Sequence, residues 1–186
     1  MTGQSAGGSH MKLVVVLLLA VALPACSDAY KDLESAFAVD KTASAPPLVT
    51  RSITITSQTR RGASSYRDLV TIRPTADAID LEFDMPFMRP LRIPKGEIAG
   101  CSMTCFGMSD QYVDLLIPRT GTDLMIRSSK TLLDWCWTNE KPMISGKARR
   151  AWQYSRVPLP PASRYNAQFA SRALFDKQTH LSCMGY

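Results

Sequence analysis

The sequence predicts a mainly β, α+β fold: a single antiparallel β-sandwich or partly open barrel with a C-terminal helix. Three observations carry this expectation. Apolar and polar residues alternate with a period of two, most cleanly in Ile79-Asp80-Leu81-Glu82-Phe83-Asp84, the pattern of a strand half-buried on a sheet. Turn-rich clusters such as Pro118-Arg119-Thr120-Gly121-Thr122 separate the strand-like runs at hairpin spacing. Towards the end Tyr165, Phe169 and Ala173 step by four, as one face of a helix does.

The chain first has to be divided. From Met11, one positive residue, Lys12, precedes the unbroken apolar run Leu13 to Leu23, and Pro24, Ala25 and Cys26 follow. That is the order of a secretory signal peptide, read here as residues 11–25. At about 1.5 Å per residue the run reaches roughly 16 Å, half of a hydrocarbon core of about 30 Å, so it is too short for a permanent span. Residues Met1 to His10, rich in Gly and Ser, carry no such pattern and read as a tag or a miscalled start.

Leu23-Pro24-Ala25-Cys26 resembles the lipobox of bacterial lipoproteins, with proline where a small residue is commoner. The resemblance covers only this leader. It implies cleavage before Cys26, a diacylglyceryl thioether on its sulfur, acylation of the new amino terminus with fatty acid such as palmitate, and an anchor that does not readily dissociate. Ser27 stands where an aspartate marks inner-membrane retention in such proteins, so the resemblance favours the outer membrane, facing the periplasm.

The mature chain, Cys26 to Tyr186, suits one domain with a real core. Its composition, 45% hydrophobic and 20% charged, is that of a globular protein. Losing the leader removes Lys12 and no acid, leaving 21 basic against 16 acidic side chains. Across the inner membrane such a mild positive balance meets lipid head groups, cell-wall polymers and acidic proteins, and nucleic acid is not an expected partner.

Residues 26–47 read as a lipidated tether: Tyr30, Leu33 and Phe37 sit at helical spacing behind Asp28, a possible N-cap, and Ser44-Ala45-Pro46-Pro47 breaks any helix. A globular β-rich domain is expected over 48–186. Val49, Ile53 and Ile55 share a face of a strand over 49–57. Leu69 to Arg73 and Ile79 to Asp84 form a hairpin around 74–77. Leu91 to Ile93, between Pro90 and Pro94, fits an edge strand. Tyr112 to Ile117 and Asp123 to Arg127 form a second hairpin. Leu132 to Trp137 is apolar and ambiguous between strand and helix. A helix is expected from Arg164 to about Lys177, capped by Ser163. Several strands followed by one closing helix are loosely similar to bacterial PH-like small β-barrels, a pattern that a two-layer α+β sheet packed by the same helix shares.

With Cys26 taken by lipid, Cys101, Cys105, Cys136 and Cys183 remain, an even count that favours two disulfides in an oxidising compartment. If Cys101 to Cys105 is a helical turn, its two Cβ atoms stand about 5–6 Å apart, beyond the ~3.8 Å of a disulfide. The expected pairing therefore joins Cys101 and Cys105 to Cys136 and Cys183, in an order the sequence does not fix. The alternative is a zinc set of Cys101, Cys105, His180 and Cys183, which would strand Cys136.

His180 is the sole histidine of the mature chain, so histidine-dependent catalysis has to run through it. Asp80, Glu82 and Asp84 form a row on one strand face, readable as a solvated face or as carboxylates that hold a cation or act on a glycosidic bond. No phosphate loop, nucleophile elbow or dinucleotide fingerprint is present. Trp135-Cys136-Trp137 reads as indoles packed beside a disulfide.

Between Lys147 and Lys177 seven basic residues face the single acid Asp176, interleaved with Trp152, Tyr154 and Tyr165. Arginine and aromatics together are a contact-surface composition. Arg149, Arg150, Trp152, Tyr154, Arg156 and Arg164 are the candidate partner-binding residues. The expectation is a non-catalytic, lipid-anchored module binding a protein partner in the cell envelope, with no metal and no cofactor beyond the covalent lipid on Cys26. A cell-envelope hydrolase working through Asp80, Glu82 or His180 is the alternative.

Overall fold

The structure is a computed structural model that describes residues 28–48, 52–58, 62–106, 110–127 and 130–186. The leader, the lipobox and Cys26 lie outside the described residues, as do positions 49–51 of the first expected strand.

The chain runs α1 (Asp28–Phe37), β1 (Ile53–Ser57), β2 (Gly62–Tyr66), β3 (Val70–Pro74), β4 (Ala78–Phe83), β5 (Leu91–Pro94), a 3-10 turn (Lys95–Glu97), β6 (Gly100–Phe106), β7 (Asp110–Ile117) and β8 (Thr122–Arg127). It ends with α2 (Lys130–Thr138), α3 (Gly146–Ser155), a 3-10 stretch (Ala162–Ala170) and α4 (Arg172–Cys183). The strands form two antiparallel sheets, β2-β1-β8-β7-β6 and β3-β4-β5, which do not close into a barrel. The fold is α+β and mainly β, with the expected C-terminal helix.

Both anticipated hairpins form: Ile72 stands opposite Leu81 in β3–β4, and Leu115 opposite Leu124 in β7–β8. Gly121 turns the second at φ 63°, a conformation side chains disfavour. The proline-flanked β5 is an edge of the smaller sheet, where a missing N–H is harmless. One apolar cluster draws on both sheets, with Ile53, Ile55, Leu115, Leu124 and Ile126 from the larger and Ile72, Ile79, Leu81 and Ile93 from the smaller. Burying each such side chain is worth about 1.5–3 kcal/mol. The outer face of β7 carries a second, smaller cluster in which Leu116 meets Ile144 and Trp152.

Several elements depart from the sequence pattern. The segment read as a tether contains α1, whose Tyr30, Leu33 and Phe37 are all buried in the main core, so this helix is packed rather than free. Cys101 to Cys105 is strand β6, not a helical turn. The ambiguous 132–137 run is helical. The late helix begins eight residues further on than expected, because Ser171 rather than Ser163 caps it by accepting from Leu174 N–H; the stretch before it winds as a 3-10 helix. Strand β2 and helix α3 had no counterpart in the sequence reading.

Candidate functional site

Helix α3 organises the outer face of the larger sheet. Ser145 caps its start, accepting from Ala148 N–H at 3.2 Å, and Arg156 ends it in the left-handed region at φ 56°, with Val157 N–H bonding back to Ala151 O. Arg149, Trp152 and Gln153 recur at three- and four-residue spacing, and all three are buried against the sheet.

Arg149 is the pin. Its Nη1 donates to Asp123 Oδ2 at 2.6 Å and to Asp114 Oδ1 at 3.2 Å, and Thr104 Oγ1 donates to Asp114 Oδ2 at 2.8 Å. Burial raises the Asp114 carboxyl well above the carboxylate range, helped by the charge of Asp123 and opposed by Arg149. Burial likewise pushes Asp123 up to about 6, again against the pull of Arg149. For Arg149, burial works against the charge, but its two carboxylate neighbours prevail and raise its pKa. Two buried carboxyls thus share one guanidinium. Replacing a partner of such a cluster leaves an uncompensated buried charge.

Past the C-terminal end of α3 the outer face of β1 and β2 is left uncovered by the described residues. Thr56 lies directly opposite both Asp123 and Ala63 across the ladders, and Thr54 and Ser65 hydroxyls share a hydrogen bond of 2.8 Å. Between this hydroxyl-bearing surface and the helix end lies a cleft of about 630 Å³, lined by Thr56, Gln58, Gly62, Gln153, Tyr154 and Arg156 among others. Its wall is held in place by Gln58, whose Nε2 donates to Trp152 O at 2.7 Å and whose N–H donates to Gly121 O. Tyr154 is 72% exposed at the rim, whereas Gln153 is 5% exposed, and its Oε1 has no hydrogen-bond partner among the described residues. The volume falls in the range of ligand and anchor-residue pockets, about 300–1,000 Å³.

The predicted contact residues therefore divide. Tyr154 and Arg156 line the cleft; Arg164 is exposed on the 3-10 stretch; Arg150 is exposed and donates to Gly185 O at 3.2 Å. Arg149 and Trp152 face inward, so they hold the surface up from behind.

The cysteines pair as Cys101–Cys136 and Cys105–Cys183, within the cross-pairing anticipated. The reason differs: on a strand, positions four apart share a face, and the two sulfurs reach α2 and α4 respectively. With Cys101, Cys105 and Cys183 all oxidised, the zinc set loses its thiolates, and no metal-binding group of His, Cys, Asp and Glu occurs among the described residues. His180 is exposed near the end of α4.

The carboxylate row is not a solvated face throughout. Glu82 and Asp84 are exposed, but Asp80 is fully buried, because the segment after α1 crosses over it: Ala43 N–H donates to its Oδ2 at 2.6 Å, and Arg92 Nε lies 3.5 Å from Oδ1. Glu82 pairs with Arg73. Trp135 is buried, its indole N–H donating to Thr75 O, while Trp137 joins Phe169 and Phe175.

No protein-family model matches the chain, and a search of curated proteins finds none similar to it.

The sequence reading missed the roles of Asp114, Asp123 and Gln153. A signal existed for the two acids: each interrupts an apolar strand, in Tyr112-Val113-Asp114-Leu115 and Thr122-Asp123-Leu124, where only a buried cationic partner makes a charge tolerable.

Proposed function

We propose that this chain is an envelope lipoprotein, held to the outer membrane by lipid on Cys26 and facing the periplasm, that works as a non-catalytic binding module for a protein partner. The leader ending at Leu23-Pro24-Ala25-Cys26 and two disulfides among the remaining cysteines both suit an exported chain. The observation that carries the binding role is the outer face of β1 and β2, left uncovered by the described residues, with its cleft of about 630 Å³. There an exposed aromatic, a cation and a buried amide oxygen with no partner among the described residues stand together over a surface of hydroxyls, the chemistry of an anchor pocket with a polar rim. An inhibitor or immunity-type lipoprotein and an accessory subunit of an envelope assembly are two forms of this reading.

Site-specific photocrosslinking tests it. A photoreactive phenylalanine at position 154, in protein displayed on intact envelopes, is expected to capture a discrete partner, and Arg156→Glu in the same protein to abolish the adduct. A crosslinker at Lys147, exposed at the opposite end of α3, should give no such adduct. Equal labelling from both positions, or an adduct indifferent to Arg156, would contradict the reading.

A further inference from the structure

Far along the chain from the cleft, the loop between β4 and β5, residues 84–90, presents Phe87 in an unusual state. The ring is 96% exposed, has no aromatic partner among the described residues, and its backbone sits at φ 72°. A bulky residue in the left-handed region is strained, and an exposed phenylalanine forgoes the gain from burial. Neither feature helps the isolated domain. The loop is nonetheless well fixed: Met88 next to Phe87 is buried in the core, its N–H bonds Met85 O, and Tyr30 Oη donates to Arg89 O at 2.9 Å. A loop held this way keeps its aromatic outside by construction.

Where this loop sits decides its partner. Tyr30 near the start of α1, Tyr66 at the end of β2 and Phe83 at the end of β4 pack edge to face, with centroids 5.2 and 5.3 Å apart. This ring cluster gathers at one end of the molecule the amino terminus of α1, the 67–69 turn with its exposed Leu69, and the root of the 84–90 loop. Tyr30 follows Cys26 by four positions, a reach of at most about 14 Å. Phe87 follows Phe83 by the same interval.

We infer that the β4–β5 loop is a second membrane contact, with Phe87 entering the headgroup–acyl boundary of the bilayer that holds the Cys26 lipid. This rests on the anchoring proposed above. A headgroup layer is about 5–7 Å deep, within the span of one phenylalanine side chain, and aromatic side chains settle at that boundary. The exposed charges beside the loop are Arg67 and Arg89 against Asp68, Asp84 and Asp40, the last paired with Arg89 at 3.0 Å, so there is no basic excess and the contact is apolar and does not depend on anionic lipid. Two attachment points, one covalent lipid and one aromatic, fix how the domain stands on the surface instead of letting it swivel about its anchor.

The test uses the full lipidated protein in phosphatidylcholine vesicles containing acyl chains brominated near the headgroup. Phe87→Trp is compared with the wild type, whose Trp135, Trp137 and Trp152 set the background. The variant is expected to lose to bromine quenching a fraction of its emission at least about twofold larger than the wild type does, with a blue shift on reconstitution, and equally well without anionic lipid. Equal quenching in the two proteins, while both float with the vesicles, overturns the loop contact and leaves the anchor standing. Protein that does not float with the vesicles overturns the anchor and the contact together.

Discussion

The two edges of the five-stranded sheet are finished in opposite ways. At β6 the edge is closed. The 142–144 segment adds to it through Cys101 N–H to Pro142 O at 2.9 Å and Ile144 N–H to Cys101 O at 2.7 Å. Gly100 permits that approach, since a Cβ there would meet Ile144 Cδ1 at 2.6 Å and Pro142 O at 2.9 Å. Cys101 and Cys105 then bond β6 to α2 and α4, and Ser182 Oγ accepts from Met103 N–H at 3.1 Å while donating to Ile144 O at 2.9 Å. At β2 the edge is a run of small residues, Gly62-Ala63-Ser64-Ser65, largely exposed. No disulfide reaches β1 or β2 among the described residues. Unpaired edges are normally blunted or covered; here one is locked, and the other is left with a cleft beside it. The difference teaches that the covalent and hydrogen-bonded ties gather at the β6 edge and leave the cleft, the binding surface proposed above, outside them.

The largest expected effect comes from unlocking the closed edge. The Cys105–Cys183 bond closes a separation of 78 residues, and removing it with Cys105→Ala and Cys183→Ala should lower the unfolding free energy by about 4.5 kcal/mol on chain-entropy grounds. Denaturant titration reads this directly, and if the two edges are energetically separate, crosslinking from position 154 persists below the unfolding transition. Next in size is the pin between them. Arg149→Met strands two buried carboxyls and should cost about 3–5 kcal/mol, and because Gln153 lies one turn further along the same helix, this change should also disturb the cleft.

Smaller, and opposite in sign to the usual acid lability of carboxylates, is the pH dependence of the pin. Asp123 has a folded-state pKa of about 6 against an ordinary 3.8, and Asp114 is raised in the same direction. The folded protein thus holds these protons more tightly than the unfolded chain. The contribution of Asp123 is complete below about pH 4 and is lost as pH rises through about 6, an effect on the order of 2–3 kcal/mol, and that of Asp114 has the same sign. In Asp123→Asn one carboxylate faces one guanidinium, so the fall in stability between pH 4 and pH 7 should flatten relative to the wild type.

How much of this was legible beforehand varied with the physics of each part. The hairpins announced themselves because Ile72, Leu81, Leu115 and Leu124 alternate on a buried face and turn residues stand between. Strand β2 could not, because an edge with few buried side chains needs no apolar pattern. Strand β6 is open to two readings in the sequence because its period-two signal, Cys101-x-Met103-x-Cys105, doubles as helical four-residue spacing between the cysteines. Helix α3 was hidden by its charges: Arg149 read as surface because its two counter-charges lie 35 and 26 residues away. The cleft likewise joins Thr56 to Arg156 across a hundred positions, and only Tyr154 and Arg156 of its lining were anticipated, from composition.

The contrast between the edges is open to native-state hydrogen exchange resolved to single amides. The account predicts that Cys101 and Met103 exchange only through global unfolding, while residues 62–65 exchange orders of magnitude faster through local opening. Comparable protection at both edges would contradict it.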